Sequence, residues 1–399
     1  MSEQTQIQQQ EPDQPTQSYI SRVRLKGYKS IIDTEVTFKP GLNIIIGANG
    51  SGKTNFVEYL KFLFFERKSI TSLKYSVEVD FFYRSKLFNY TREGITMRQP
   101  ETNRIIPLIK EKLIGSKLTI LQSNNYSGHS EAESRLEWIA MTPTKIGFSI
   151  SKEFLNFQNI EKYSIIEIRD PKDQSIGESI EYGQPYYISS SKPNLTIGLE
   201  MLLEAVFKVY VKEKPGELID KYLLPSDFIR SLRNFTSIKN ARISSNYNLE
   251  ITDDILSIEN LKFEFLVNDQ WFTWNNLSDG TKRLFYIITE VTFANNVILL
   301  EEPELGIHPH QLKRLMDFIK EQSETKQIII TTHSPEVLNT LKMDELDRII
   351  IARYDKEKGT QMSHLSEDDI KHARSYMKDE LFLSDYWVMS GFETEEESV

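Results

Sequence analysis

The sequence has 399 residues, of which 39% are hydrophobic and 27% are charged, and its formal net charge at pH 7 is −10. This composition is typical of a globular protein with enough chain for two or more hydrophobic cores. The absence of cysteine excludes disulfide frameworks, cysteine-ligated zinc, iron–sulfur clusters and thiol nucleophiles. Because no apolar run approaches the roughly 20 residues of a membrane span and no signal-peptide pattern begins the chain, we expect a cytoplasmic protein without a membrane partner.

The acidic charge is concentrated at the two ends of the chain. Residues 1–17 contain three acidic residues and 393–399 contain four, with no Lys or Arg in either segment, so the sequence between them carries only −3. Both ends are poor in apolar residues, which predicts disordered tails at 1–17 and 391–399. An acidic total disfavours a broad nucleic-acid surface, since phosphate binding depends on clustered Lys and Arg, but it permits a local basic patch.

The N-terminal part of the chain predicts a β-rich lobe that leads into a glycine-rich loop and a helix. Alternating or continuous apolar runs predict strands at 19–31, 31–38, 42–46, 75–98 (a hairpin) and 117–122. After the loop, Phe56, Leu60, Leu63 and Phe64 recur at helical spacing. A second helix is predicted at about 104–114.

The middle of the chain is mixed, and strand–helix alternation returns after it. Residues 126–254 are predicted to be an insertion with short strands at 146–150 and 163–168, helical around 198–242. Beyond it, strands are predicted at 261–267, 296–300 and 327–331, and helices at 310–322, 335–342 and from about 279. Such alternation at both ends predicts an α/β fold whose two lobes are 18–125 and 255–390. No heptad pattern persists over three repeats, which argues against a long coiled coil.

Residues 47–54 (GANGSGKT) satisfy the phosphate-loop pattern G-x-x-x-x-G-K-[ST] between a buried strand and a helix. Backbone N–H groups of such a loop surround the phosphates, Lys53 supplies a charge between the β- and γ-phosphates, and the Thr54 hydroxyl is a Mg²⁺ ligand. A chance glycine-rich turn is the alternative, and the flanking strand and helix disfavour it. The predicted nucleotide-binding residues are Gly47, Asn49, Gly50, Ser51, Gly52, Lys53 and Thr54.

Three further segments carry candidate chemistry. Glu301 and Glu302 follow four apolar residues at a strand end, where one carboxylate can hold Mg²⁺ and the next can polarise the attacking water. Ser278 (in LSDGT) precedes a long helix and forms either an anion site or an ordinary helix cap. His333 (in TTHSP) ends the next buried strand, where a structural role is the alternative.

The order of GANGSGKT, LSDGT, LLEEPE and TTHSP resembles that of the ABC-type ATPase heads of the SMC, RecF and OLD-nuclease group. The opening LKGYKSI…FKPGLNIIIGANGSGKTN is similar to the start of those heads. The resemblance covers about 18–125 and 255–355, roughly half of the chain. It implies an ABC-type P-loop ATPase head, with an antiparallel β lobe and a parallel α/β core, that binds ATP and Mg²⁺.

The resemblance also implies roles for individual residues. Glu301 would be the Walker B acid, Glu302 the catalytic glutamate, His333 the switch histidine and 304–309 the D-loop. Ser278, Asp279 and Gly280 would be the signature that completes the nucleotide site of a second subunit, so that ATP joins two heads. Gln122, after KLTILQ, is the candidate Q-loop glutamine and metal ligand. Glu301 and Asp279 depart from the usual Asp and Gly, but both forms are familiar in the OLD-like branch.

Other polar and aromatic groups have simpler interpretations. His308 and His310 could form a metal pair, but the D-loop setting and the absence of cysteine disfavour zinc. Trp271 and Trp274 fit a sheet edge better than a base-stacking platform. The basic pairs Arg230/Arg233 and Lys239/Arg242 could form a solvated face or contact a phosphate backbone.

Three functions are compatible with such a head. We favour the ATPase subunit of a bacterial anti-phage module, a homodimer or higher homo-oligomer that senses a trigger such as phage nucleic acid and controls a separately encoded effector. About 45 residues follow the last head-like strand, too few for the TOPRIM nuclease of OLD enzymes. An effector of TOPRIM or HNH type is therefore expected in trans, as in the PARIS and Septu systems. The alternatives are a RecF- or SMC-like DNA-repair ATPase and, less favoured, an ABC-transporter ATPase subunit.

Overall fold

A computed structural model of the chain describes the following residues: 17–65, 74–83, 85–98, 105–115, 118–126, 150–152, 165–169, 187–190, 224–243, 248–251, 255–259, 263–294, 296–379 and 381–391. The predicted tails, apart from Gln17 and Gly391, and most of the predicted insertion lie outside these ranges. Within them, no helix combines the length and the apolar character needed to span a membrane.

The described elements are strands and helices in the following order. The strands are β1 (Tyr19–Tyr28), β2 (Ile31–Thr37), β3 (Leu42–Ile46), β4 (Lys74–Tyr83), β5 (Lys86–Arg98), β6 (Ile105–Gly115), β7 (Leu118–Tyr126), β8 (Ile150–Lys152), β9 (Ile165–Arg169), β10 (Tyr187–Ser190), β11 (Ile238–Ile243), β12 (Asn248–Ile251), β13 (Ile255–Glu259), β14 (Phe263–Val267), β15 (Gln270–Thr273), β16 (Val297–Glu301), β17 (Gln327–Thr332), β18 (Ile349–Asp355) and β19 (Gly359–His364). The α-helices are α1 (Lys53–Phe65), α2 (Ser226–Phe235), α3 (Asp279–Phe293), α4 (Pro309–Gln322), α5 (Glu367–Lys378) and α6 (Leu383–Ser390).

A sheet of twelve described strands, in the order β7-β6-β5-β4-β1-β2-β19-β18-β3-β17-β16-β8, joins the two ends of the chain. Strands β18, β3, β17, β16 and β8 are paired in parallel. The pairs from β7 through β2 to β18 are antiparallel. The predicted α/β class, with an antiparallel β lobe beside a parallel core, is therefore confirmed.

The burial of each strand follows from what covers it. Strands β3, β16 and β17 are buried at every residue, as parallel strands are when both faces are covered. One face packs on α2, α3 and α4, and the other on α1 and the β lobe. The outer face of β1, by contrast, carries Arg22, Arg24 and Lys26, which form ion pairs with acidic residues of neighbouring strands.

One buried side chain connects the parallel core to the antiparallel lobe. Gln327, fully buried at the start of β17, accepts a hydrogen bond from the Ile20 N–H (2.8 Å). Its Nε2 donates to the backbone oxygens of Ile20 (2.9 Å) and Lys39 (3.0 Å). Three backbone groups of the N-terminal lobe thus depend on this amide for partners, since buried polar groups need hydrogen bonds.

Three sequence predictions of helix differ from the structure in whole or in part. Residues 105–115 form strand β6, whose register with β5 runs from Phe88–Gly115 to Arg98–Ile105. Their apolar residues suit a helix as well as a strand, and pairing with two long neighbours decides the outcome. The predicted helical region around 198–242 contains α2 and then strand β11, which pairs with β14. Its part before residue 224 lies outside the described residues, and the helix predicted at 335–342 is a 3₁₀ turn, Pro335–Thr340.

Helix α2 belongs with the C-terminal lobe. The Phe228 ring lies 5.8 Å from that of Phe285 on α3, and the Phe235 ring lies 4.8 Å from that of Phe318 on α4. Trp274 is buried and packs edge-on against Phe285. Strands β12 and β13, by contrast, form a separate sheet with β9 and β10 of the predicted insertion.

Replacing Gln327 by Ala should lower the free energy of unfolding by about 3 kcal/mol, because it leaves buried backbone groups without partners. Denaturant titration measures this loss. Gln361→Ala is the matched control: its amide also donates to backbone oxygens, those of Lys358 and Thr360, but near the surface. Equal stability of the two variants would contradict a connecting role for Gln327.

Candidate nucleotide-binding site

The phosphate loop begins where β3 ends and closes where α1 begins. The Gly47 N–H donates to the Thr332 oxygen (3.4 Å), and the Ser51 N–H donates to the Ala48 oxygen (3.2 Å). Gly50 and Gly52 have φ angles of +84° and +94°, which L side chains rarely adopt. The GANGSGKT segment therefore forms the tight turn that its glycines predict.

Two glycines of the loop lie against the β18–β19 hairpin. A Cβ atom on Gly47 would collide with the Ala352 oxygen, and one on Gly52 would collide with Thr360 Oγ1. Thr360 Oγ1 in turn forms a hydrogen bond with Ser30 Oγ (2.7 Å), which also accepts from Asn55 on α1. The loop is thus held from one side by neighbouring strands.

The loop residues are arranged as a phosphate site requires. Lys53 Nζ donates to the backbone oxygens of Gly47 (2.6 Å) and Ala48 (2.9 Å), and the side chain is almost fully buried. Ser51 Oγ is buried and has no hydrogen-bond partner among the described residues. Asn49, Gly50 and Thr54 are exposed. A cation and an orphaned hydroxyl beside a helix N-terminus fit a nucleotide phosphate.

The acidic strand end has a constrained backbone. Glu301 is buried at the end of β16 and lies opposite Thr331 of β17. Glu302 has φ +46°, uncommon for a residue other than glycine, and its N–H donates to the Thr331 oxygen (2.7 Å). Arg283 of α3 donates to the backbone oxygens of Glu301 (2.7 Å) and Glu302 (2.9 Å). These bonds hold the backbone of Glu302 in its left-handed conformation.

The end of β17 meets this acidic segment. His333 Nδ1 lies 3.4 Å from Glu302 Oε1 and 3.7 Å from Glu304 Oε1. Thr332 Oγ1 donates to Glu304 Oε1. His333, predicted to neighbour the acidic strand end, therefore lies beside both carboxylates.

The signature segment caps α3 and contacts the predicted D-loop. Ser278 Oγ accepts from the Thr281 N–H (3.2 Å), so Ser278 caps the helix. Asp279 is exposed at the first turn beside Lys282. A Cβ atom on Gly280 would lie 2.5 Å from the Gly306 oxygen. The start of α3 and the 304–309 segment are therefore in close contact within one chain.

The structure does not bring Gln122 to this site. Gln122 lies on β7, paired with Lys112 of β6, and seven strands separate β7 from β3. Strand β8, by contrast, is parallel to β16, so its carboxyl end shares an edge with Glu301. The Gln122 prediction is thus corrected: Gln122 belongs to strand β7 of the antiparallel β lobe. The sequence signal for β8 was the candidate strand at 146–150, and the next glutamine, Gln158, lies outside the described residues.

The remaining candidates have local partners. His308 Nδ1 accepts from the His310 N–H (3.4 Å) at the start of α4, and no group of three metal-ligating residues occurs in the described ranges. The predicted basic patch is largely neutralised by the following contacts: Arg230 with Asp227, Lys239 with Asp269, Arg242 with Glu264, and Arg233 with the Lys239 oxygen. Trp271 lies at an edge strand beneath the Arg242 guanidinium (4.0 Å).

Two family models and a curated relative match parts of the chain. Residues 192–339 match a family described as an AAA domain, putative AbiEii toxin, type IV TA system, and residues 19–86 match an AAA ATPase domain. The DNA double-strand break repair Rad50 ATPase of Thermoplasma acidophilum is 34% identical over 97 residues, which are 22% of this chain and 11% of that protein. These matches support an ATPase head of the SMC/Rad50 type. The chain aligns with only about a tenth of that relative's length.

Two further similarities extend over most of the chain. The ATP/GTP phosphatase of Helicobacter pylori is 21% identical over 393 residues, covering 88% of this chain and 93% of that protein. The solved structure of an Smc head bound to the C-winged helix domain of ScpA has a TM-score of 0.49 and 18% identity. That alignment covers 88% of this chain and 99% of the other.

Gly280→Ala should lower the free energy of unfolding by about 2 kcal/mol, because a methyl group must displace the Gly306 backbone. Chemical denaturation followed by circular dichroism measures the change. Asp279→Ala, at the exposed neighbouring position, should leave stability within about 0.5 kcal/mol of the wild type. Wild-type stability of Gly280→Ala would refute the close contact between the two segments.

Proposed function

We propose that this chain is a Mg²⁺-dependent ATPase head that forms a homodimer around ATP. The observation that carries the proposal is the contact between Glu302 and His333, 3.4 Å apart. His333 follows β17, the neighbour of β3, and Glu302 follows β16, the next strand in the sheet. Ligands bind at that edge of parallel sheets. In the proposal, both residues act at the γ-phosphate of a nucleotide on the loop.

Each site residue then has a chemical task. The loop amides and Lys53 bind the phosphates, and Lys53 exchanges its bonds to Gly47 and Ala48 for phosphate oxygens. Thr54 and Glu301 would hold Mg²⁺, which supplies charge neutralisation at the β- and γ-phosphates. Glu302 accepts the proton of the attacking water, and His333 positions the γ-phosphate beside it.

The signature segment supports the dimer. Ser278 and Asp279 are exposed, and the first amides of α3 belong to a helix start that attracts anions. Ser278, Asp279 and Gly280 would therefore bind the γ-phosphate held by the loop of a second copy.

A surface on the C-terminal helices supports a protein partner. Four apolar side chains there are exposed: Leu381, Phe382, Val388 and Met389. Helix α6 is anchored by Asn339, which exchanges two hydrogen bonds with Ser384, on the 3₁₀ turn that follows His333. A partner on this face would therefore contact α6, which is hydrogen-bonded to the 3₁₀ turn that follows His333. We assign the face to a separately encoded effector of nuclease type.

Two biological settings fit this ATPase. We favour anti-phage defence, in which ATP-dependent dimers control the effector. The match to an AAA family described with a putative AbiEii toxin and type IV TA system is in keeping with this setting. The second candidate is DNA repair of the RecF or SMC type, which the similarity to the Rad50 ATPase favours. The ion pairs of Arg230, Lys239 and Arg242 with acidic residues count against a broad DNA-binding surface on α2 and β11.

Glu302→Gln should bind ATP with unchanged affinity, lose at least about 100-fold in turnover and accumulate as dimers, because the general base is gone while the binding groups remain. Light scattering with and without ATP·Mg²⁺ measures the dimer, and phosphate release measures turnover. Lys53→Ala should remain monomeric under the same conditions. A monomeric Glu302→Gln variant in saturating ATP would refute the composite dimer site.

A Phe382→Ser/Met389→Ser double variant should retain ATP hydrolysis yet lose protection in a phage-challenge assay performed with the neighbouring genes present. Lys53→Ala should lose both activities. Leu87→Ser, at another exposed apolar position, is the control and should keep both. Full protection by Lys53→Ala would refute the defence proposal, and an adjacent membrane-permease gene would favour the transporter alternative.

A further inference from the structure

The sheet order indicates where the base of a bound nucleotide must lie, given the proposed ATPase function. Strands β17 and β16, which carry His333 and Glu302, lie on one side of β3, and the β18–β19 hairpin lies on the other. The γ-phosphate must be near Glu302 and His333 for hydrolysis. Because the base is at the opposite end of the triphosphate, it extends from the loop toward β18 and β19.

The hairpin is in direct contact with the loop at two points. The Ala352 oxygen lies against Gly47, and Thr360 Oγ1 lies against Gly52. Strand β18 is parallel to β3, with Ile351 opposite Ile46, so the residues after Ile351 continue past the end of β3 alongside the loop. The end of the hairpin is therefore the wall beside which the base must pass.

Tyr354 lies on the loop-facing side of this wall. It is directly opposite Thr360 in the antiparallel ladder, and opposite residues share a face with their Cβ atoms about 5 Å apart. Ala352 and Met362, the next pair on that face, belong to the hydrophobic cluster that includes Phe56 of α1. Tyr354 is consequently on the same side of the sheet as the start of α1.

The Tyr354 ring is available for a ligand. The side chain is 48% exposed, whereas Ala352 and Thr360 on the same face are buried. Within the described residues, Tyr354 forms no side-chain hydrogen bond and no ring contact. An aromatic ring of this kind can stack on any nucleobase, because every base has a π face.

We propose that Tyr354 is the stacking platform for the purine base of the bound nucleotide. The ring extends the phosphate site into a complete nucleotide site. The triphosphate lies against the loop and the start of α1, and the base lies against the hairpin. Stacking does not discriminate between adenine and guanine, so Tyr354 contributes affinity for a purine nucleotide in general.

The test compares ATP with inorganic tripolyphosphate, which has the phosphates and no base. In calorimetric titrations of the full chain, Tyr354→Ala should weaken ATP binding about tenfold, the size expected for one lost base-stacking contact. Tripolyphosphate binding should be unchanged. Tyr354→Phe should retain wild-type ATP affinity, because the ring and not the hydroxyl is required.

The control is Ile32→Ala, which removes an exposed apolar side chain from β2, next in the sheet to β19. Ile31 belongs to the α1-side cluster, so Ile32 points to the other face, and its loss should change neither affinity. Equal ATP affinity of Tyr354→Ala and the wild type, or an equal loss for both ligands, would overturn the base platform and leave the ATPase proposal standing. Failure of the wild type to bind either ligand would overturn both.

Discussion

The arrangement of the molecule depends on the parallel pairing of four strands, β18, β3, β17 and β16. Parallel neighbours place their carboxyl ends at one edge, and they cannot be joined by tight hairpins, so residues far apart in the chain must converge there. The phosphate loop, Glu302, His333 and Tyr354 all follow or end one of these strands. The antiparallel lobe is attached to the same sheet and secured to its core by the buried Gln327 amide.

Most of the candidate site could be predicted because its residues lie in short contiguous motifs. GANGSGKT specifies a loop by its glycines and its flanking strand and helix, and VILLEEPE and QIIITTHSP each place polar residues directly after a buried strand. Such local patterns predict both the strand or helix and the end of it at which the candidate site residues lie. Sequence analysis placed His333 at the end of the strand that follows the acidic one, and Glu302 and His333 are in contact in the structure.

The misplaced residues are those whose positions depend on pairing between distant segments. Gln122 ends a strand-like run, but only the ladder with β6 shows that this strand belongs to the outer lobe. Residues 105–115 have apolar spacing compatible with a helix, but they form strand β6 because they pair with β5 and β7. In the sequence, Gln327 is a single polar residue at the start of an apolar run. Its hydrogen-bond partners lie about 300 residues earlier. No local pattern contains that information.

The contact between Gly280 and the Gly306 oxygen has a consequence for a symmetric dimer. The start of α3 would hold the nucleotide of the opposite subunit, while the segment around Gly306 follows the Glu302 of its own subunit by a few residues. Because the two segments are in contact, α3 cannot move toward the segment around Gly306 without displacing it. In the proposed dimer, a movement of α3 toward this segment on binding the opposite subunit's nucleotide would therefore reach the backbone that follows Glu302.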